Sequence, residues 1–339
     1  MRPTVMRVST DAIARNARRF RERIPASVRM MCVIKADAYG HGAAAAAKKL
    51  LAAGADAFAV AIVEEAKALR AAGIRVPILI LGGAGESSLR EAVACDAPWM
   101  LDAGHARVGV RDEAALKELL ARWQACPEVE MEGAFTHFCV ADTDPEFTEV
   151  QRRRFVAGVE MIRAAGFNPI RHAAATSAML NPALQFDMVR PGIGLYGTGV
   201  PEMAGELECA QTLVTRPIRI QRIAPGDTVG YGRTFTAERD TLIMTLPIGY
   251  GDGYPRILSN RAHVLVKGVK VKQVGRVCMD MIMADVTDVP GVTLDDEVVL
   301  LGAQGNEVVT PDELAEAAET IPYEIMLGFL ERIPVEQID

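Results

Sequence analysis

A chain of 339 residues that sets 37 Lys and Arg against 44 Asp and Glu carries a net charge of −7, which argues against nucleic acid or an anionic membrane as a partner. Half of its residues are hydrophobic, enough for a large core divided over two domains, yet no run reaches the roughly 20 apolar residues of a membrane span. The cysteines (Cys32, Cys95, Cys126, Cys139, Cys209, Cys278) stand far apart with no CxxC pair, which argues against structural zinc or any other metal and for the reduced thiols of a cytoplasmic protein.

In chain order, the opening stretch MRPTVMRVSTDAIARN has no apolar core of signal-peptide length. It reads as a short strand, then a helix capped at its Ser-Thr-Asp step. From there to about residue 195, short apolar runs alternate with helical patterns. The runs are VRMMCVIKA, AFAVAIV, VPILILG, APWMLD, VEMEGAFTHF, IRHAAA and FDMVR. They are too continuous for strands with one solvated face, so both faces are buried. Repeated βα units of that kind make a parallel sheet. Seven strands, with an eighth near GLYG and no dinucleotide fingerprint after the first, favour an α/β fold of the closed (β/α)8, TIM type over an open sheet. Beyond about residue 210 the helices nearly vanish. TLVTRPIRIQRI, TLIMTLPIG, HVLVKGVKVKQVGRVCMD and DEVVLLG read as strands broken at PGD, KG and LDD turns. One helix, TPDELAEAAETI, has Thr310 as its cap and Pro311 at its first position. The expected organisation is a barrel domain over 1–210, whose first eight or so residues can join the second domain, and a β-rich domain over 211–339.

Barrel chemistry sits at the C-terminal ends of the strands, and the first strong strand ends in VIKADAYGHG. A lysine there, Lys35, leaves an apolar wall and loses hydration, so its pKa falls; that suits an amine nucleophile for a Schiff base. Position alone equally allows a lysine that snorkels to solvent. Gly40 and Gly42 free the backbone for a tight turn. Tyr39 is placed to reach a bound phosphate.

VIKADAYGHG resembles the pyridoxal phosphate (PLP) signature of the alanine racemase family. The resemblance continues through THFCVAD (136–142), ATSAM (175–179), MVRPGIGLYG (188–197), VGYGRTF (229–235), LPIGYGDGYPR (246–256) and GRVCMDM (275–281). Seven motifs in family order make it specific. It implies a PLP-binding barrel, a C-terminal β domain and a head-to-tail homodimer that shares its active sites. It also implies interconversion of L- and D-alanine for peptidoglycan.

Residue by residue, the resemblance gives Lys35 the cofactor Schiff base and the role of acid–base on one face of the substrate Cα. Tyr231, from the partner subunit, serves the other face. A free tyrosine has a pKa of about 10, so this one needs help, and His137 matches the histidine that provides it. Arg190 faces the pyridine nitrogen; an arginine keeps its proton, so the ring becomes a weaker electron sink than it would opposite an aspartate. Tyr39, Ser177 and the amides of Gly192 and Ile193 hold the phosphate. Arg107 bonds the cofactor's phenolic oxygen and, with the Met279 amide, serves the substrate. Tyr250, Asp142, Arg256 and Arg276 match a polar entrance corridor. Cys278 reads as packing.

Two departures stand out. The stretch MLDAGHAR has Met100 where the family often carries a carbamylated lysine, so Arg107 needs another anionic partner, chloride or Asp102; His105 replaces the motif methionine. LERIP puts Glu331 where the family often has an aromatic or small residue. The alternatives are a serine or broad-specificity racemase, a barrel-type PLP decarboxylase (which has a CES-like motif where this chain has CMD) and a non-catalytic PLP-binding protein, which lacks a C-terminal domain.

Overall fold

The computed structural model describes residues 3–82, 99–100, 103, 105–126 and 130–339, with 99–100 described as backbone only. The chain divides into two compact units. One, the barrel unit, comprises Ile13–Ala38 and Gly42–Leu195; the other, the β unit, comprises Met1–Ala12, Tyr39–His41 and Tyr196–Asp339.

In the barrel unit each of the seven apolar runs supplies one parallel strand. They are β2 (Arg29–Val33), β3 (Ala57–Val60), β4 (Ile78–Ile80), β5 (Trp99–Met100), β6 (Gly133–Phe135), β7 (Ile170–Ala175) and β8 (Met188–Arg190), following β1 (Val5–Val8) of the other unit. They pair in the order β4-β3-β2-β8-β7-β6-β5 and curl into a barrel-type sheet. Every residue of β3, β4, β6 and β8 is buried, which is why these runs show no alternation. The helix Pro145–Ala164 starts on Asp144, whose carboxylate accepts from the Phe147 amide, and buries Phe155, Val159 and Ile162. The eighth strand expected near GLYG is instead a 3-10 turn, Ile193–Tyr196. The backbone there is packed too closely to extend: a Cβ on Gly194 would lie 2.5 Å from Phe20 Cζ.

The β unit is a ten-stranded sheet. Its strands are β1, β9 (Gln211–Thr215), β10 (Arg219–Ile223), β13 (Thr241–Leu246), β14 (His263–Val266), β15 (Val269–Val274), β16 (Ile282–Asp285), β17 (Val298–Gln304), β18 (Glu307–Val309) and β19 (Val335–Gln337), and a separate hairpin pairs β11 (Thr228–Val229) with β12 (Phe235–Thr236). β1 runs parallel to β19 and antiparallel to β9. One apolar cluster, including Leu213, Met244, Val264, Ile282, Val299 and Leu314, fills its interior. The helix Pro311–Ala317 is capped by Thr310, whose hydroxyl accepts from the Glu313 amide at 3.0 Å. A second helix, Pro322–Leu327, was not legible in the sequence pattern. Among the described residues no helix is long and apolar enough to cross a membrane.

Candidate active site

The barrel strands deliver their last residues to one end, and Lys35 stands directly beyond β2. The segment Lys35–Gly40 makes a helical turn of the left hand: φ is +50° to +56° at Ala36, Asp37, Ala38 and Tyr39 and +80° at Gly40. An L-residue resists this by roughly 1–2 kcal/mol, so the turn needs braces. Glu65 supplies one, accepting from the Ala36 amide at 2.6 Å and from Ala61 at 2.7 Å. Asp37 supplies another by accepting from Ala43 at 2.7 Å. Burial, and then the Arg107 guanidinium, lowers the Lys35 pKa, while Glu65 opposes them. An amine held this way is more nucleophilic at neutral pH than a solvated lysine.

Arg190 is 3 % exposed. Its Nη1 donates to the His172 carbonyl at 2.7 Å and lies 2.9 Å from His172 Nδ1; its Nη2 donates to the Thr136 carbonyl at 2.7 Å. Its Nε has no acceptor among the described residues, which leaves one N–H for a ring nitrogen. Burial, and then Arg107, draws its pKa down to about 9, so it stays charged at neutral pH. His137 is held neutral down to about 3, by loss of hydration first and then by Arg190, Arg107, His105 and Lys35. Its ring lies 5.5 Å from that of His105. Lys35, Arg107, His105, His137 and Arg190 thus share one electrostatic neighbourhood. The Met100 side chain and Asp102 lie outside the described residues.

The expected phosphate donors need one correction. The Gly192 amide already donates to Thr176 Oγ1 at 2.8 Å, because the ATSAM and RPGIG turns are packed against each other. The amides that head the next turn, Ile193 and Gly194, have no acceptor among the described residues. Ser177 makes no side-chain cap to the turn after it, so its hydroxyl is not spent there. Tyr39 belongs to the β unit, where it is 4 % exposed and its ring lies 4.8 Å from Tyr196 and 5.9 Å from Tyr323. Burial raises its hydroxyl pKa, so it remains a donor. A desolvated lysine amine, a guanidinium with a spare N–H, the Ser177 hydroxyl and two unspent amides make a donor set that fits PLP.

The β unit gathers a second group. Tyr231 sits in the β11–β12 loop between Gly230 (φ +69°) and Gly232 (φ +72°) and is 72 % exposed. It lines a hollow of about 580 Å³ with Cys278, Met279, Asp280 and Met281. Arg276 borders the same loop, its Nε 3.1 Å from where a Gly232 Cβ would stand. Cys278 packs against the small cluster of Val229, Ile243, Val274 and Met283, and burial raises its thiol pKa. Tyr250, Arg256 and Glu331 are exposed in this unit, and Asp142 is exposed in the other. Sequence reasoning missed Glu65, Thr136, His172 and Thr176, which act by holding other residues. Thr136 and Thr176 stand just beyond strand ends, but His172 lies within β7 and Glu65 in the helix Val63–Ala71, with no local signal of their role.

The family model for the alanine racemase C-terminal domain matches residues 210–337, and that for the N-terminal domain matches 8–101 and 95–200. The chain belongs to the alanine racemase family. An alanine racemase of Symbiobacterium thermophilum is 40% identical over 368 aligned residues, covering 98% of this chain and 97% of its own. One of Halothermothrix orenii is 36% identical over 367, covering 99% and 97%. The crystal structure of alanine racemase from Bacillus anthracis with bound L-Ala-P covers 100% of this chain and 96% of its own, at 33% identity and a TM-score of 0.90. The activity is therefore PLP-dependent racemisation of alanine. The chain is also shorter than its relatives. The Halothermothrix alignment spans 367 positions where this chain has 339 residues, so at least 28 of them have no counterpart here, about the size of one βα unit. The N-terminal match breaks at 95–101, a stretch that includes β5, and β5 and β4 are the two ends of the sheet.

Proposed function

We propose that this alanine racemase uses Lys35 and the partner's Tyr231 as acid–bases on opposite faces of the substrate Cα, in a homodimer that supplies D-alanine for peptidoglycan in the cytoplasm. The observation that carries the reading is the contrast between Lys35, desolvated and electrostatically tuned, and Tyr231, 72 % exposed on a loop held by two left-handed glycines. A catalytic tyrosine that open to water needs a covering surface. Met279 and Met281, 53 % and 44 % exposed beside it, add the apolar area that a second copy would bury.

PLP bound at Lys35 supplies the electron sink that lets the Cα–H bond ionise. The chain's residues do the rest. Ser177, Tyr39 and the Ile193 and Gly194 amides hold the phosphate. The Arg190 Nε–H would be the donor left for the pyridine nitrogen, and Arg107 would serve the phenolic oxygen. The Met279 amide, which has no acceptor among the described residues, takes the substrate carboxylate. In one direction Lys35 would take the Cα proton from its face while the partner's Tyr231 gives a proton to the opposite face, and in the other direction the two exchange roles. His137, kept neutral, supports the proton relay to the tyrosine as an acceptor. Tyr250, Asp142, Arg256 and Arg276 line the entrance.

The test is complementation. Inactive Lys35→Ala and Tyr231→Phe chains, mixed and allowed to exchange, form heterodimers with one intact site of two, so about half of wild-type activity per heterodimer is expected. No recovery after verified exchange would show a site built within one chain.

A further inference from the structure

Three loop segments of the β unit meet at one arginine outside the catalytic motifs. Arg332 Nη2 donates to Asp280 Oδ1 at 2.8 Å, and Nη1 donates to the Gly251 carbonyl at 3.1 Å. Its Nε lies 3.4 Å from Asp252 Oδ1, on a carboxylate that is completely buried. Asp252 in turn accepts from the Gly249 amide at 3.0 Å, and its carbonyl accepts from Leu330 at 3.0 Å. One guanidinium therefore ties 249–253, 278–281 and 328–332 together.

The tie bears directly on Met279. The Tyr250 amide donates to the Cys278 carbonyl at 3.0 Å and the Gly251 amide to the Met279 carbonyl at 2.8 Å. The backbones lie so close that a Cβ on Gly249 would stand 2.2 Å from the Cys278 carbonyl oxygen and 2.5 Å from that of Met279. The peptide units on either side of the Met279 Cα, the first of which carries its amide, are thus fixed by 249–251, and that segment is fixed by Arg332. A lysine cannot make the same tie, because three acceptors in different directions call for the rigid, planar fork of a guanidinium.

We propose that Arg332 is a positioning residue for substrate: by locking 249–251 against 278–281 it aims the Met279 amide at the substrate carboxylate. This rests on the reading of Met279 given above. A donor that is aimed rather than created acts on binding more than on proton transfer. Arg332→Ala holoenzyme should therefore raise KM for L- and D-alanine about tenfold or more while kcat stays within about threefold. Propionate, which keeps the carboxylate and lacks the amine, should lose affinity by a similar factor in calorimetry, and Arg332→Lys should recover only part of both. Amide exchange at 278–281 should quicken in Arg332→Ala; Tm should fall too, because the buried Asp252 loses its cation, so KM and affinity are read well below Tm.

If propionate slows exchange of the Met279 amide in the wild type but Arg332→Ala leaves KM and propionate affinity unchanged, the role of Arg332 is overturned and that of Met279 stands. A loss confined to kcat or Tm, with full recovery by lysine, overturns it equally, as a merely structural tie. If propionate does not protect the Met279 amide in the wild type, the reading of Met279 falls and this inference falls with it.

Discussion

The barrel unit and the β unit of this alanine racemase solve different problems. The β unit buries one continuous apolar cluster across its sheet and carries its functional groups outward, with Tyr231 and Met279 largely in water. The barrel unit buries a guanidinium and an imidazole, Arg190 and His172, at 3 % and 1 % exposure, and its sheet ends on strands of three and two residues. Desolvation perturbs pKa values only where groups are enclosed. The barrel unit therefore buries the groups whose pKa values it tunes, whereas the β unit uses its buried carboxylate, Asp252, to brace a loop and leaves Tyr231 and Met279 open to another surface.

The sharpest way to break this contrast is at Lys35. Lys35→Ala should remove more than about 99% of racemase activity and the visible absorbance of bound PLP, because nucleophile and base vanish together. Tm of the apo form should move little. Activity above a hundredth of wild type would place the chemistry elsewhere.

Acid provides the next test. His172 is kept neutral well below its usual pKa by burial and then by Arg190, and His137 is held down to about 3. A histidine whose folded pKa lies below its unfolded value of about 6.5 takes up a proton on unfolding, so stability falls as pH drops from there toward the folded pKa. Each contributes a slope of up to about 1.4 kcal/mol per pH unit. Denaturant titrations between pH 6 and 4.5 should show it, and His172→Gln, which keeps an acceptor for Arg190, should remove about one proton of the dependence. An unchanged slope would mean that the imidazole is already charged.

The smallest effect concerns the ends of the barrel sheet. Inserting between β4 and β5 the segment that a relative has and this chain lacks should protect the amides of β4 from exchange and raise the unfolding midpoint, by about 2–4 °C for each kcal/mol gained. No added protection would show that these strands are already fully supported.

Much of this was written in the sequence. The seven strands showed because both faces are buried, so AFAV and ILI stay apolar throughout. Lys35, Arg190 and Tyr231 showed through motifs with fixed neighbours. The supports did not show. His172 and Thr136 hold Arg190 from 18 and 54 residues away, and Arg332 reaches Asp280 across 52; pairings so distant leave no local pattern. The Gly192 amide looked available because the sequence does not reveal that Thr176 already occupies it. The left-handed turn was hidden for another reason: Ala-Asp-Ala-Tyr carries no glycine to signal positive φ, and its braces join it to residues outside it, Glu65 to Ala36 and Asp37 to Ala43.

That turn gives the polypeptide itself a chirality problem. The residues Ala36 and Ala38 occupy the backbone basin natural to the opposite enantiomer, where a D-alanine would rest without the roughly 1–2 kcal/mol that an L-residue must overcome. In a chain assembled chemically with D-alanine at these two positions, the nucleophile's turn would hold its shape with less help from Glu65. The ribosome supplies only one hand, so the mirror geometry beside Lys35 exists on loan from the rest of the barrel.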